Sequence, residues 1–214
     1  MTLAEKITAY FEAKNYVLRR ELDAVNILYI EGADQHGNAI TDTPDAWNDR
    51  RIILQFDGEG VPFISLNAAA TCEPGTSATL SPQAAKRGGV ARVMFGQFKV
   101  WRMGFHKGIK IHPALVQRAP LMVHRDRNRD QKRTGDPVSR AMGINQHGTR
   151  EGHLPERVGN WSEGCPVGLI WAGHLTFIEI CKHDPEYLKD PNYLFYTAFI
   201  PGDEFARFNP NLNA

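Results

Sequence analysis

Ile52-Ile53-Leu54-Gln55-Phe56, then Asp57-Gly58-Glu59-Gly60, then Val61 through Ala69 reads as strand, turn, strand. The flanks are rich in β-branched and aromatic residues, and the four residues between them carry the glycine and aspartate of a tight turn. The same texture recurs outward in both directions. Upstream, Asn26–Gly32 (NILYIEG) is a short strand; downstream, Val90–Trp101 and Ala114–His124 are strand candidates, and Tyr193–Ile200 is a last strand stopped by Pro201-Gly202. Helical signals are fewer. Thr2 to Glu5 has the form of a capping box, with Leu3, Ile7, Phe11 and Leu18 on one approximate face of a helix that ends before Val25. Pro166–Lys182 is the second helix, with Ile170, His174, Phe177 and Cys181 on one side. Residues 32–50, 73–89, 125–137 and most of 144–160 read as loops. Many strands and two helices predict an α+β domain, mostly β, and not a doubly wound α/β fold. No composition shift divides the chain, so a single domain over 1–214 is expected, with an N-terminal helical extension of about 1–24.

The 214 residues, 42% apolar and 23% charged, suffice for one domain with a sizeable core. Lys plus Arg (25) against Asp plus Glu (24) leaves +1, which gives no global field to draw nucleic acid or a membrane surface. No apolar run approaches the roughly 18 residues of a membrane span. The N-terminus lacks a basic stretch followed by an apolar segment, so no secretory signal is predicted and synthesis in the cytoplasm is expected. Three cysteines exclude a fully paired disulfide framework and leave at least one free thiol.

The thiol with the most telling context is Cys165, in Gly159-Asn160-Trp161-Ser162-Glu163-Gly164-Cys165-Pro166. Gly164 frees the backbone to turn beside the sulfur, and Pro166 suits a first helical position. Cys165 is therefore expected at the N-cap of the Pro166–Lys182 helix, where the helix dipole favours a thiolate. A cysteine nucleophile also needs a base within hydrogen-bond reach. His147, in Ile144-Asn145-Gln146-His147-Gly148-Thr149, is the best candidate, 18 positions upstream of Cys165. That order argues against papain-like peptidases, in which the cysteine comes first. Cys72 and Cys181 have no comparable context and read as structural.

His147-Gly148-Thr149 followed by Ser162-Glu163-Gly164-Cys165 resembles the signature of the L,D-transpeptidase (YkuD-like) catalytic domain. Thr71-Cys72-Glu73-Pro74-Gly75 is similar to a turn found upstream in that family. Residues 124–136, 143–149 and 159–165 are also similar to a branch of phage-derived and bacterial endolysin-like wall proteins, in a resemblance running from about Asn26 to Glu204. The resemblance implies a β-sandwich or barrel with an N-terminal helix and one helix after the catalytic cysteine. It implies action on peptidoglycan stem peptides, with Cys165 attacking a carbonyl to give a thioester and His147 as its base. Ser162, or the carbonyl of Gly148, would orient the imidazole. The N–H groups of Glu163, Gly164 and Cys165 would form the oxyanion hole, where each donor is worth about 3–4 kcal/mol. The thioester would pass to an amine or to water. Two positions depart from the family pattern: Glu163 stands where a histidine is usual, and Val167 where an arginine or asparagine is usual. Alternatives are a peptidoglycan-hydrolysing endolysin or antibacterial effector peptidase using the same pair, and a non-catalytic wall-binding module. Each would reach the cell wall by release or delivery.

Trp161, His106, His112, His124 and Asn145 are candidates to line the substrate groove. Asp126, Asn128, Asp130 and Asp136 could offer oxygens to Ca²⁺, but Gln131 replaces the usual glycine, and a charged loop held by Asx-turns is the favoured reading. No cofactor is therefore expected. Arg125, Arg127, Arg129, Lys132 and Arg133 are offset by three aspartates, which argues against a nucleic-acid patch. His147, His153, Cys165 and His174 lack compact zinc spacing. Oligomeric state is left open.

Overall fold

A computed structural model describes residues 1–210. The turn at residues 57–60 is present. β2 (Asp49–Phe56) and β3 (Pro62–Thr71) pair antiparallel, and the Asp57 carboxylate accepts the amides of Glu59 and Val61 at 2.9 and 2.8 Å. Around them grows an eight-stranded sheet. With β1 (Asn26–Glu31), β5 (Gly96–Phe105), β6 (Pro113–Gln117), β9 (His147–Gly148), β10 (Val167–Gly168) and β11 (Phe195–Pro201), its order is β6-β5-β11-β1-β2-β3-β10-β9. The two edges meet, because Leu115 and Gln146 exchange backbone hydrogen bonds of 3.0 and 2.8 Å. The sheet is thus nearly closed and barrel-like. β4 (Val90–Val93), β7 (Leu121–Asp126) and β8 (Val138–Ala141) form a second, three-stranded sheet.

The alternation of β1 shows how the layers form. Ile27 and Tyr29 face a core shared with Val93, Val123 and Leu121 of the small sheet and with Phe177 and Cys181 of α4 (Trp171–Lys182). Leu28 and Ile30 face the opposite side, against Ile7 and Phe11 of α1 (Leu3–Ala13) and Phe205 of α6 (Gly202–Arg207). With both faces covered, β1 is buried throughout and reads as a continuous apolar run. The expected capping box of α1 is present: Glu5 N–H donates to Thr2 Oγ1 at 3.2 Å, and Thr2 N–H to the Glu5 carboxylate at 2.6 Å. The helix ends at Ala13, so Leu18 lies beyond it.

Several boundaries differ from expectation. Val90–Trp101 divides between the two sheets at Gly96, whose φ of +144° suits glycine and turns the chain out of the ladder. Ala114–His124 divides likewise, near Pro120, which has no N–H to donate. Residues 73–89 hold two short helices, α2 (Thr76–Thr79) and α3 (Pro82–Lys86), the second capped by Ser81 with proline in its first turn. Strand β8 and the short helix α5 (Pro185–Lys189) carried no signal that was read. Among the described residues, no helix is long and apolar enough to cross a membrane.

The largest correction concerns the helix after Cys165. It starts at Trp171, with Ile170 as its N-cap. Pro166 and Val167 are extended: the Pro166 carbonyl accepts from His147 N–H at 3.1 Å, and Val167-Gly168 pairs with β3 and β9. Cys165 therefore receives no help from a helix dipole.

Candidate active site

β9 and β10 run parallel, with Val167 opposite His147, so the same register sets Cys165 level with Asn145, two residues before His147. One side chain that the sequence reading missed locks this register. Arg51, on β2, is fully buried without a carboxylate partner among the described residues. Its Nη2 donates to the His147 carbonyl at 2.8 Å and lies 3.5 Å from that of Pro166; its Nε donates to Tyr29 Oη at 2.6 Å. The guanidinium lies 4.5 Å over the Phe177 ring and 5.3 Å over that of Tyr29. Its Nη1 donates to His174 Nδ1 at 3.0 Å, and His174 Nε2 in turn donates to the Pro113 carbonyl at 2.7 Å. An arginine can only donate and a carbonyl only accept, so His174 is the neutral Nε2–H tautomer. Burial and the adjacent Arg51 cation push its pKa down to about 3.

The cysteine turn is held from within and from behind. Ser162 Oγ donates to the Cys165 carbonyl at 2.8 Å and accepts from Gly164 N–H at 3.0 Å. Two expectations are corrected here. Ser162 braces the turn and makes no hydrogen bond to the imidazole. The Gly164 amide is engaged, so of the three proposed oxyanion donors only those of Glu163 and Cys165 have no partner among the described residues. Gly164, at φ +124°, leaves no room for a Cβ against the Ala91 carbonyl. Behind the turn, the segment Thr71–Gly75 packs onto it: Gly75 touches Gly159 backbone to backbone and donates to the Ser162 carbonyl at 3.0 Å. Asp45 joins the two pieces, accepting from Thr76 N–H at 3.0 Å and Gly159 N–H at 2.6 Å.

Cys165 and His147 line one open cavity of about 590 Å³, with Asn145, Gly143, Lys107, Trp161 and Glu163 among its walls. His147 Nδ1 donates to the Gly148 carbonyl at 2.8 Å, which leaves Nε2 with a free lone pair. His106 stacks on His147 with ring centroids 4.0 Å apart, and Asn145 Nδ2 donates to its Nδ1 at 3.3 Å. Burial lowers the pKa of both rings, His106 to about 4, so both are neutral near pH 7. The Cys165 sulfur accepts from Asn145 N–H at 3.4 Å and its thiol donates to the Gly143 carbonyl at 3.7 Å. The residue is half-buried, yet packing around the sulfur pushes the thiol up to about 11, opposed by the Asn145 amide and Lys107. Thiol and imidazole therefore rest as a neutral pair. A nucleophilic role for this sulfur would require proton transfer in step with attack, in general-base fashion, in place of a standing thiolate.

A smaller cavity of about 150 Å³ adjoins the first and shares His106, Lys107, His147, Asn160 and Trp161 with it; His112, Arg150 and Trp171 complete its far side. Of the groove candidates, His106, His112, Asn145 and Trp161 line these cavities. His124 does not: it sits on β7, paired with Arg92, and lines neither. Cys72 and Cys181 are fully buried and burial raises both thiols, in keeping with structural roles.

Of the four candidate calcium residues, three are engaged by the loop itself, while Asp136 Oδ2 is buried with no hydrogen-bond partner among the described residues. The Asp126 carboxylate accepts the amides of Asp130 and Gln131, Asn128 Oδ1 accepts from Asp130, and Asp130 accepts from Lys132. Among the described residues one acidic group, Glu31, Asp42 and Glu73, converges, but Arg133 and Arg92 pair with Glu31 and Glu73 there. It is an ion-pair knot under the Thr71–Gly75 turn. Comparison of the chain with family models, curated proteins and solved structures finds no match, so the likeness to L,D-transpeptidases rests on the motifs themselves.

Proposed function

We propose that the chain is a peptidoglycan-acting cysteine acyl-transfer enzyme of L,D-transpeptidase type, with Cys165 as nucleophile and His147 as base. The observation that supports it most is the common cavity of Cys165 and His147, with Nδ1 of the imidazole committed to Gly148 and Nε2 free. In this reading His147 Nε2 takes the thiol proton as the sulfur bonds to a stem-peptide carbonyl. The amides of Glu163 and Cys165 hold the oxyanion. On collapse the C–N bond breaks, the imidazolium gives its proton to the leaving amine, and a thioester remains. An amine acceptor then yields a cross-link, and water a trimmed stem. The protein would act at the cell wall after release or delivery.

The test is incubation of the wild type and Cys165→Ala with purified muropeptides, read by mass spectrometry. The wild type should give new products and an acyl adduct on Cys165, and the variant neither. Dimers mark transfer and shortened monomers mark hydrolysis. No product from either protein would overturn the enzymatic reading and leave a wall-binding module.

A further inference from the structure

Between Glu73 and Asp126 the chain carries no acidic residue, although acids and bases nearly balance over its whole length. The middle of that stretch is the hairpin of β5 and β6, which holds Lys99, Arg102, Lys107, Lys110 and Arg118. None of them pairs with a carboxylate among the described residues. At the base of the hairpin Lys99 lies 4.8 Å over the Tyr196 ring, and Arg102 donates to the Asn192 amide oxygen. Lys107 and Lys110 stand at the tip, where the chain reverses through Lys107 and Gly108 at positive φ. The net charge of +1 gives the molecule no field as a whole, but this hairpin has a local positive one. The same tip is apolar. Trp101, Met103 and Phe105 share one face of β5: Trp101 is buried, Met103 packs at the edge of the core, and Phe105 runs on past it, 45% exposed. Ile109 is 44% exposed, and Ile111, at 74%, is the most exposed large hydrophobic side chain among the described residues. Trp171 lines the smaller cavity together with Ile109 and carries the apolar surface toward α4.

We propose that the β5–β6 hairpin docks the protein on the surface of an anionic phospholipid bilayer. Phe105, Ile109 and Ile111 enter the boundary between headgroups and acyl chains, and Lys107 and Lys110 meet the headgroup phosphates. Clustered apolar side chains ringed by unpaired cations suit that interface, where each kind of group finds its own layer. A nucleic acid or another acidic polymer would satisfy the lysines and leave the isoleucines in water, so the apolar tip favours lipid. The hairpin also forms a wall of both cavities through His106 and Lys107, so docking turns the mouth of the candidate site toward the membrane. The inference goes beyond the acyl-transfer reading and does not rest on it.

The test is co-sedimentation of the full-length protein, at low salt, with vesicles of phosphatidylcholine alone and of phosphatidylcholine mixed equally with phosphatidylglycerol. The mixed vesicles should bind at least about tenfold more tightly, and added salt should weaken them. Lys110→Glu removes one positive charge and adds a negative one; at about fivefold each, binding should fall about 25-fold. Ile111→Ser should weaken binding at least about fivefold. Both side chains are exposed and line neither cavity, so neither change should disturb the fold. No sedimentation with the mixed vesicles, equal affinity for neutral ones, or binding that Ile111→Ser leaves unchanged would overturn the proposal, the last by reducing it to attraction for any polyanion. Vesicle binding by a protein that leaves muropeptides untouched would support docking and overturn only the acyl-transfer reading.

Discussion

His174 gives a prediction whose size follows from two hydrogen bonds. Its imidazole accepts from Arg51 and donates to the Pro113 carbonyl, so a second proton on the ring would face a cation at 3.0 Å. In the unfolded chain the same ring has a pKa of about 6.5. In the fold it lies at about 3. Between these values the unfolded state binds the proton and the folded state does not, so stability is full above about pH 6.5 and is lost as the pH falls. At about pH 4.5 the loss from this one group is two pH units at about 1.36 kcal/mol each, or about 2.7 kcal/mol. His106 and His147, also lowered, act in the same direction, so the contribution of His174 must be taken as a difference. His174→Gln supplies that difference, because its amide oxygen can accept from Arg51 and its nitrogen can donate to Pro113. Urea unfolding should show the variant about 1 kcal/mol less stable than wild type near pH 7.5. The gap should shrink by about 2.7 kcal/mol and reverse by about pH 4.5. A gap that stays constant across this range would refute the assignment of a neutral, Arg51-bound ring.

Arg51→Met leaves the His147 carbonyl and His174 Nδ1 without their donor, and should destabilise the fold by about 3 kcal/mol in urea titration while reducing turnover. Gly148→Ala sets a Cβ 2.6 Å from the His174 ring, so a lowered melting temperature and a displaced base are expected; wild-type stability would contradict the packing described. With its thiol pushed up to about 11, Cys165 should be alkylated by iodoacetamide about tenfold faster per pH unit from about 7 to 10, while Cys72 and Cys181 stay unlabelled in the folded protein; a plateau near neutral pH would mean a standing thiolate. Calcium or EDTA should leave the melting temperature unchanged, since backbone amides already occupy the Asp126 oxygens, and a shift of more than about 2 °C would show that a cation can displace them.

Much of the strand content was legible because the signals were local. The Asp57 turn, the apolar run of β1 and the Thr2 box each involve residues within a few positions of one another. The pair Cys165 and His147 was legible through its motifs, and the structure sets both in one cavity. What escaped was set by distant contacts. Pro166 suits a helix start, yet it is extended because β3 and β9 offer a ladder to the residues after it. Arg51 carries no sequence signal of its own, since two adjacent arginines open β2 and only the register shows which one turns inward. Ser162 was given a role toward the imidazole, but its hydroxyl is saturated within its own turn. His124 was drawn toward the groove by its aromatic surroundings, and the break at Pro120 moved it to the other sheet.

β11, residues 195–201, lies in the interior of the large sheet, parallel to β1 on one side and antiparallel to β5 on the other. Synthesis begins at the opposite end of the chain, so β1 and β5 leave the ribosome long before the strand that joins them. Until it arrives, each exposes an open ladder edge, and the sheet cannot bring Leu115 to Gln146 to close around the groove. A chain stopped between residues 172 and 194 therefore carries every group that lines the two cavities and still lacks an assembled site, which forms only once β11 has been made.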